Sequence, residues 1–147
     1  MLVTINTDAS FHQKKKIGAY AFYAVCNNWK VKKSGKFREN CLNPCDAEAK
    51  CILNALSIVC TDKSVSKIIV NTDSMNAIAY LTLNKEHLSK YHWLENHKKV
   101  KYHSIMKKYL KGVKIEFRHV KAHSGVKDNR SFVNEWCDSE AKKQLRK

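Results

Sequence analysis

Proline occurs once in the 147 residues, at Pro44, and glycine only four times. So few chain-breaking residues exclude collagen-like, Pro-rich and Gly/Ser-linker sequences, and no shift in composition marks a domain boundary. One domain over residues 1–147 is expected, since domains most often hold roughly 100–150 residues. Long apolar runs are also missing. None approaches the roughly 18–20 residues that span a bilayer, and the N-terminus has no signal-peptide pattern. A membrane protein is excluded, and an intracellular, cytoplasmic setting is expected. Acidic side chains are scarce, with 13 Asp and Glu against 28 Lys and Arg and a net charge of +15. That imbalance favours a polyanionic partner without specifying any chemistry. The six cysteines include no C-x-x-C pair; only Cys41, Cys45 and Cys51 cluster. A composition that is 44% hydrophobic can build a core without disulfide staples. Reduced cysteines packed as small hydrophobes are expected, with a zinc site as the lesser alternative.

What is present has a clear order. Leu2 to Asp8 is rich in Val, Ile and Thr, Ile17 to Cys26 in Tyr, Phe and Ala, and Trp29 to Arg38 alternates with basic residues. Three strands joined by short polar segments predict antiparallel hairpins. Asn43-Pro44 is a break that suits a helix start, and Asp46 to Val59 follows helical periodicity with Ile52, Ala55, Leu56 and Val59 as its apolar stripe. Lys67 to Asn71 reads as a short buried strand, and Asp73 and Ser74 can cap a helix running to about Leu83. Residues 85–111 are helical but strongly basic. Val113 to Val120 alternates, with Val113, Ile115 and Phe117 on one face, and residues 131–146 form a last helix. This order predicts a mixed α/β layer fold.

The few acids repay attention. Asp8 and Asp73 each end an apolar run within an Asn-Thr-Asp triplet. If their strands are parallel neighbours, both carboxylates emerge at the carboxyl edge of one sheet, where open α/β sheets place ligands. Glu48 lies at i−4, i−7 and i−11 from Ile52, Ala55 and Val59, on the apolar stripe one turn from the helix start. A carboxylate facing a core is costly unless it is paired or bound to metal. Asp46 competes for the role but points off the stripe. Asp138 shares its spacing with Asn134, Ala141 and Leu145, among the inward positions of the last helix. Four carboxylates converging on one edge repel one another unless cations neutralise them, and hard oxygen ligands select Mg²⁺ or Mn²⁺.

With these motifs in order, the chain resembles type 1 ribonuclease H over essentially its whole length. The matching segments are Asn6-Thr7-Asp8-Ala9-Ser10, Ala47-Glu48-Ala49, Asn71-Thr72-Asp73-Ser74, Val120-Lys121-Ala122-His123-Ser124-Gly125 and Asn134-Glu135-Trp136-Cys137-Asp138-Ser139-Glu140-Ala141. The resemblance implies a five-stranded mixed sheet, three antiparallel strands followed by two parallel ones, flanked by helices. It implies hydrolysis of the RNA strand of RNA–DNA hybrids to 5′-phosphate and 3′-hydroxyl ends. Asp8, Glu48, Asp73 and Asp138 would hold two Mg²⁺ ions, with Mn²⁺ a possible substitute, and His123 would assist proton transfer or product release. Asn43, Ser74 and Met75 would make minor-groove contacts.

Residues 85–121 carry eleven basic residues against three acidic ones, about half the net charge, with Tyr91, Trp93 and Tyr102 interleaved. By the same resemblance this segment, with Lys98, Lys99, Lys101 and Trp93, would grip the DNA strand, although Trp93 fits the core equally well. No separate hybrid-binding domain and no second subunit is expected. Two departures stand out. The turn after the first strand, Phe11 to Lys16, has no glycine until Gly18, so lysine charge would replace close backbone approach. The loop after His123 is long and contains Asp128, a rival to Asp138 that lies off any helix stripe. A DNA-cutting integrase or resolvase relative, and a catalytically inactive binding protein of the same fold, are the alternatives.

Overall fold

Alternating β-branched and aromatic residues build the first quarter of the chain as a meander. A computed structural model describes residues 1–83, 96–120 and 129–147, with the backbone alone for 96–100 and 129–132. Strand β1 (Leu2–His12) pairs antiparallel with β2 (Ile17–Val25), and β2 pairs antiparallel with β3 (Lys30–Lys36). The tight turn between β1 and β2 closes with Lys16 in the left-handed region at φ 57° and its N–H donating to His12 O at 2.9 Å. The first strand thus runs past its expected end at Asp8. The Tyr- and Ala-rich β2 offers it a partner all the way to His12, opposite Ile17.

Helix α1 (Pro44–Val59) begins where the sequence has its one proline, with Asn43 as N-cap accepting from Asp46 N. Ile52, Ala55, Leu56 and Val59 are buried as the periodicity requires. Each large side chain there contributes about 1.5–3 kcal/mol relative to exposure. Strand β4 (Lys67–Thr72) then lies parallel to β1, and β5 (Lys114–His119) lies parallel to β4. The sheet order is β3-β2-β1-β4-β5, a five-stranded mixed sheet. Helix α2 (Met75–Thr82) follows β4, α3 (Asn96–Tyr109) precedes β5, and α4 (Asn129–Arg146) ends the chain.

The layers follow from which faces are apolar. Val3, Ile5, Phe22, Ile68 and Val70 join residues of α1, α2 and α3 in the main core, with Ile115 and Phe117 packed against it. On the second face Ala21 meets Cys137 and Ala141 of α4, flanked by Tyr23, Val133 and Trp136. Lys32 Nζ caps this patch, 5.0 Å from the Tyr23 ring centre and 5.2 Å from that of Trp136. Gly18 explains how closely the pieces meet: a Cβ there would stand 2.7 Å from Cys41 Sγ and 3.1 Å from Phe37. Its bare backbone lets the segment leading into α1 press on β2, which brings Glu48 over β1.

All six cysteines are free thiols, and Cys41, Cys45, Cys51 and Cys137 are buried. Among the described residues no helix is long and apolar enough to cross a membrane. Of the expected basic helix over 85–111, the described part is α3; Lys85, Lys90 and Trp93 lie outside the described residues.

Candidate active site

The last paired residues of the parallel β1–β4 ladder are Asn6 and Asn71. Asp8 and Asp73 each follow two residues later, so the repeated Asn-Thr-Asp triplet sets them at equivalent places along adjacent strands. The two differ in one respect. Asp8 is still within β1, opposite Ala21 of β2, whereas Asp73 lies just beyond β4. Glu48 enters from above on the first turns of α1. Its Oε1 accepts from Ala9 N at 3.2 Å, and the same N–H donates to Asp8 Oδ1 at 2.9 Å. One ligand oxygen from each of Asp8, Glu48 and Asp73 lies within 4.8 Å of the others.

Burial and mutual repulsion dominate the electrostatics. Burial, then the charge of Asp73, raises the Asp8 pKa to about 7, with Asp138 adding to the rise. Burial first, then the charges of Asp8 and Asp73, pushes Glu48 well up. Glu48 Oε2 is shut off from solvent, and no donor among the described residues reaches it. A group so placed is stable either as a shared proton or against a cation. Three hard oxygen donors around an unsatisfied carboxylate oxygen fit Mg²⁺ or Mn²⁺. Asp8, Glu48 and Asp73 are the residues that could hold such an ion.

Asp138 stands apart from that cluster. The face of α4 turned to the sheet is the Cys137–Ala141 line, so Asp138 sits on its flank rather than on the inward stripe. Its Oδ2 pairs with Lys142 Nζ at 3.1 Å, with 29% of the side chain exposed. It is near enough to act on Asp8 through its charge. His123 and Asp128 lie outside the described residues.

Around the carboxylates runs a groove lined by Pro44, Cys45, Glu48, Asp73, Ser74, Met75 and Asn76. Ser74 caps α2, its hydroxyl accepting from Ala77 N at 3.1 Å. Asn43 is engaged similarly, its Oδ1 accepting from Asp46 N at 2.8 Å. Lys101 is exposed on α3, Lys98 and Lys99 belong to the same helix, and Trp93 is outside the described residues.

The RNase H family model matches residues 2–146. The chain belongs to the RNase H family. Solved structures agree on the fold. RNase H1 from the halophilic archaeon Halobacterium salinarum NRC-1 superposes with a TM-score of 0.69 at 18% identity, covering 99% of this chain and 98% of that one. LC9-RNase H1, described as a type 1 RNase H with the type 2 active-site motif, gives 0.65 at 14% identity, covering 97% of this chain and 73% of the other. The N-terminal RNase H domain of a Mycobacterium tuberculosis protein, solved fused to maltose-binding protein, gives 0.64 at 10% identity, covering 99% and 96%. At these identities the likeness carries the fold. No curated protein matches the sequence. Membership of the RNase H family supports ribonuclease H activity, and with it a nuclease.

Within this RNase H domain three residues near the carboxylates are not foretold by sequence. Asp46, a first-turn acid off the apolar stripe, is fully buried, because α3 covers the side of α1 that the stripe leaves free. The signal was its spacing three residues after the Asn43 cap, which suits a residue that closes a capping box. Cys45 lines the groove. His119, at the end of β5, holds Nε2 3.1 Å from Asp73 O. A carbonyl only accepts, so that nitrogen carries the proton.

Proposed function

We propose that this RNase H protein is an endoribonuclease that hydrolyses the RNA strand of RNA–DNA hybrids by two-metal-ion catalysis, leaving 5′-phosphate and 3′-hydroxyl ends. The observation that carries this reading is the meeting of the buried Glu48 with the half-buried Asp8 and Asp73 at one sheet edge, in a chain of net charge +15. Asp8, Glu48 and Asp73 hold the ions, and Asp138 joins them from α4. When bound, Mg²⁺ or Mn²⁺ supplies Lewis-acid polarisation of the phosphate and a water acidified enough to attack it. The backbone of Ala9 fixes both Asp8 and Glu48 in place, and the groove past Ser74 and Met75 takes the minor groove of the duplex. His123 assists proton transfer or product release. The basic helix with Lys98, Lys99 and Lys101, and Trp93 before it, grips the DNA strand. Six free thiols suit a reducing, intracellular compartment, and the domain works as a monomer.

The test is a labelled hybrid with and without Mg²⁺. RNA-strand cutting that needs the metal is expected, with all-DNA duplex left intact. Cutting of DNA instead would favour an integrase-like reading, and metal-independent binding without cutting would favour a non-catalytic binder.

Hybrid binding should also be strongly salt-dependent, because lysines that neutralise phosphates release counterions. Lys14, Lys15 and Lys16 are exposed at the hairpin tip that follows β1, several residues beyond Asp8. Replacing all three by Ala should flatten the plot of log affinity against log salt by roughly 0.9 for each phosphate no longer neutralised. An unchanged slope in a fluorescence-anisotropy titration would remove the hairpin from the interface.

A further inference from the structure

Tyr102 and His103 are neighbours on α3, and each reaches a different helix of the site. The buried Tyr102 hydroxyl donates to Asp46 Oδ1 at 2.5 Å. His103 Nδ1 lies 2.6 Å from Leu81 O, near the end of α2, and donates to it. One helix is therefore bonded to both helices that serve the carboxylates: α1, which carries Glu48, and α2, which follows Asp73 and is capped by Ser74.

The Asp46 bond has the greater consequence. Asp46 has no exposed surface. Its Oδ2 accepts from Leu42 N at 2.9 Å, with Lys50 Nζ at 3.6 Å, while Oδ1 accepts from the Tyr102 hydroxyl. Residues 46 and 48 stand about 200° apart around a helix of 3.6 residues per turn. Tyr102 thus holds the first turn of α1 from one side, and Ala9 N holds it through Glu48 Oε1, at 3.2 Å, from the other. These opposed bonds set the rotation of α1 about its own axis. Without the phenol, a buried carboxylate oxygen loses its donor. Relief comes from a shift of the first turn toward water, and that shift carries Glu48 with it.

We propose that Tyr102 is a positioning residue for the carboxylate cluster, fixing Glu48 beside Asp8 and Asp73 through Asp46. This rests on the metal-binding reading of that cluster given above. The test uses the full chain as wild type, Tyr102→Phe, Asp46→Asn and the double variant, each at a temperature where it is fully folded. Mg²⁺ is titrated by calorimetry without nucleic acid, and hybrid cleavage is followed against Mg²⁺ concentration. Tyr102→Phe should weaken Mg²⁺ binding about five- to tenfold, leave KM for the hybrid within about twofold, and regain kcat at high Mg²⁺. Asp46→Asn should shift Mg²⁺ in the same direction, and the double variant should be no worse than the worse single one, because both act through one bond. Should Tyr102→Phe fail to fold, Asp46→Asn alone decides by the same Mg²⁺ shift. Mg²⁺ affinity unchanged while thermal stability falls would make the bond purely structural and overturn the proposal. A wild type that binds no Mg²⁺ would bring down the metal reading itself, and the proposal with it.

Discussion

Asp8→Asn and Asp73→Asn should each lower hybrid cleavage by at least about 10³-fold, equivalent to about 4 kcal/mol of transition-state stabilisation. The reason lies in how the two carboxylates share their task. Each supplies one oxygen to a group of three whose atoms lie within 4.8 Å, so an amide in either place removes a third of the negative charge that attracts a cation. The side chain keeps its size, so the fold has no cause to change. Binding should move the other way. Without metal the cluster repels phosphate, and removing one charge should leave hybrid affinity in EDTA equal to or above that of wild type. Cleavage assays in Mg²⁺ paired with gel shifts in EDTA read both quantities. Asp138→Asn should cost less than either, because that carboxylate stands outside the three-oxygen cluster, part-exposed and paired with Lys142. Robust cutting by both Asp8→Asn and Asp73→Asn would remove them from the reaction.

The sheet and its edge were legible because their signals are short-range. Alternation over Ile17–Val25 and the apolar run before Asn71 need no tertiary knowledge, and the Asn-Thr-Asp repeat reports two strands ending alike. Glu48 could be read for a related reason: a lone acid on the stripe of Ile52, Ala55 and Val59 contradicts its surroundings, and contradictions of that kind gather at functional sites. Asp46 could not be read that way. Its burial depends on α3, which arrives more than fifty residues later, and no periodicity within α1 foretells a second covered face. The spacing of Asp138 was legible only in part, since the side chain lies at the edge of the buried line, still near enough to act on Asp8. Spacing alone grouped it with Ala141, while packing chose the neighbouring line through Cys137, since the small Cys and Ala side chains let α4 approach Ala21 closely. A one-residue rotation of that kind is below what helical spacing resolves.

The metal-free protein should lose stability as the pH rises from about 5 to 8, and Asp8→Asn should remove the share of that loss that Asp8 carries, leaving the share due to the burial of Glu48. Burial first, then Asp73, raises the folded-state pKa of Asp8 to about 7, against an unfolded value near 3.9. A group raised in this way contributes stability that is fully present below its unfolded pKa and disappears as pH passes through its folded one. Glu48 is shifted in the same direction and reinforces the trend. Asp62 acts oppositely: hydrogen bonds from the Ser64 hydroxyl first, then Trp29, hold it down to about 2, so its contribution is present above its unfolded pKa and lost only in acid. Asp62 therefore adds no slope between pH 5 and 8, where the carboxylate cluster acts. At about 1.4 kcal/mol per pKa unit the Asp8 effect is bounded near 4 kcal/mol, and sharing of a proton with Glu48 makes roughly 2–4 kcal/mol the expected range. For a chain of this size each kcal/mol moves Tm by roughly 2–4 °C. Metal-free Asp8→Asn should thus melt above wild type at pH 8, and the two should coincide near pH 4. Mg²⁺ should restore the wild type at pH 8, where the ligands are deprotonated, by mass action on the folded state, and should do little for the variant. Melting curves in EDTA and in Mg²⁺ across this range check all three parts. Flat, parallel profiles for the two proteins would mean that the three carboxylates do not repel one another in solution, and the charge argument for a metal at this edge would lose its basis.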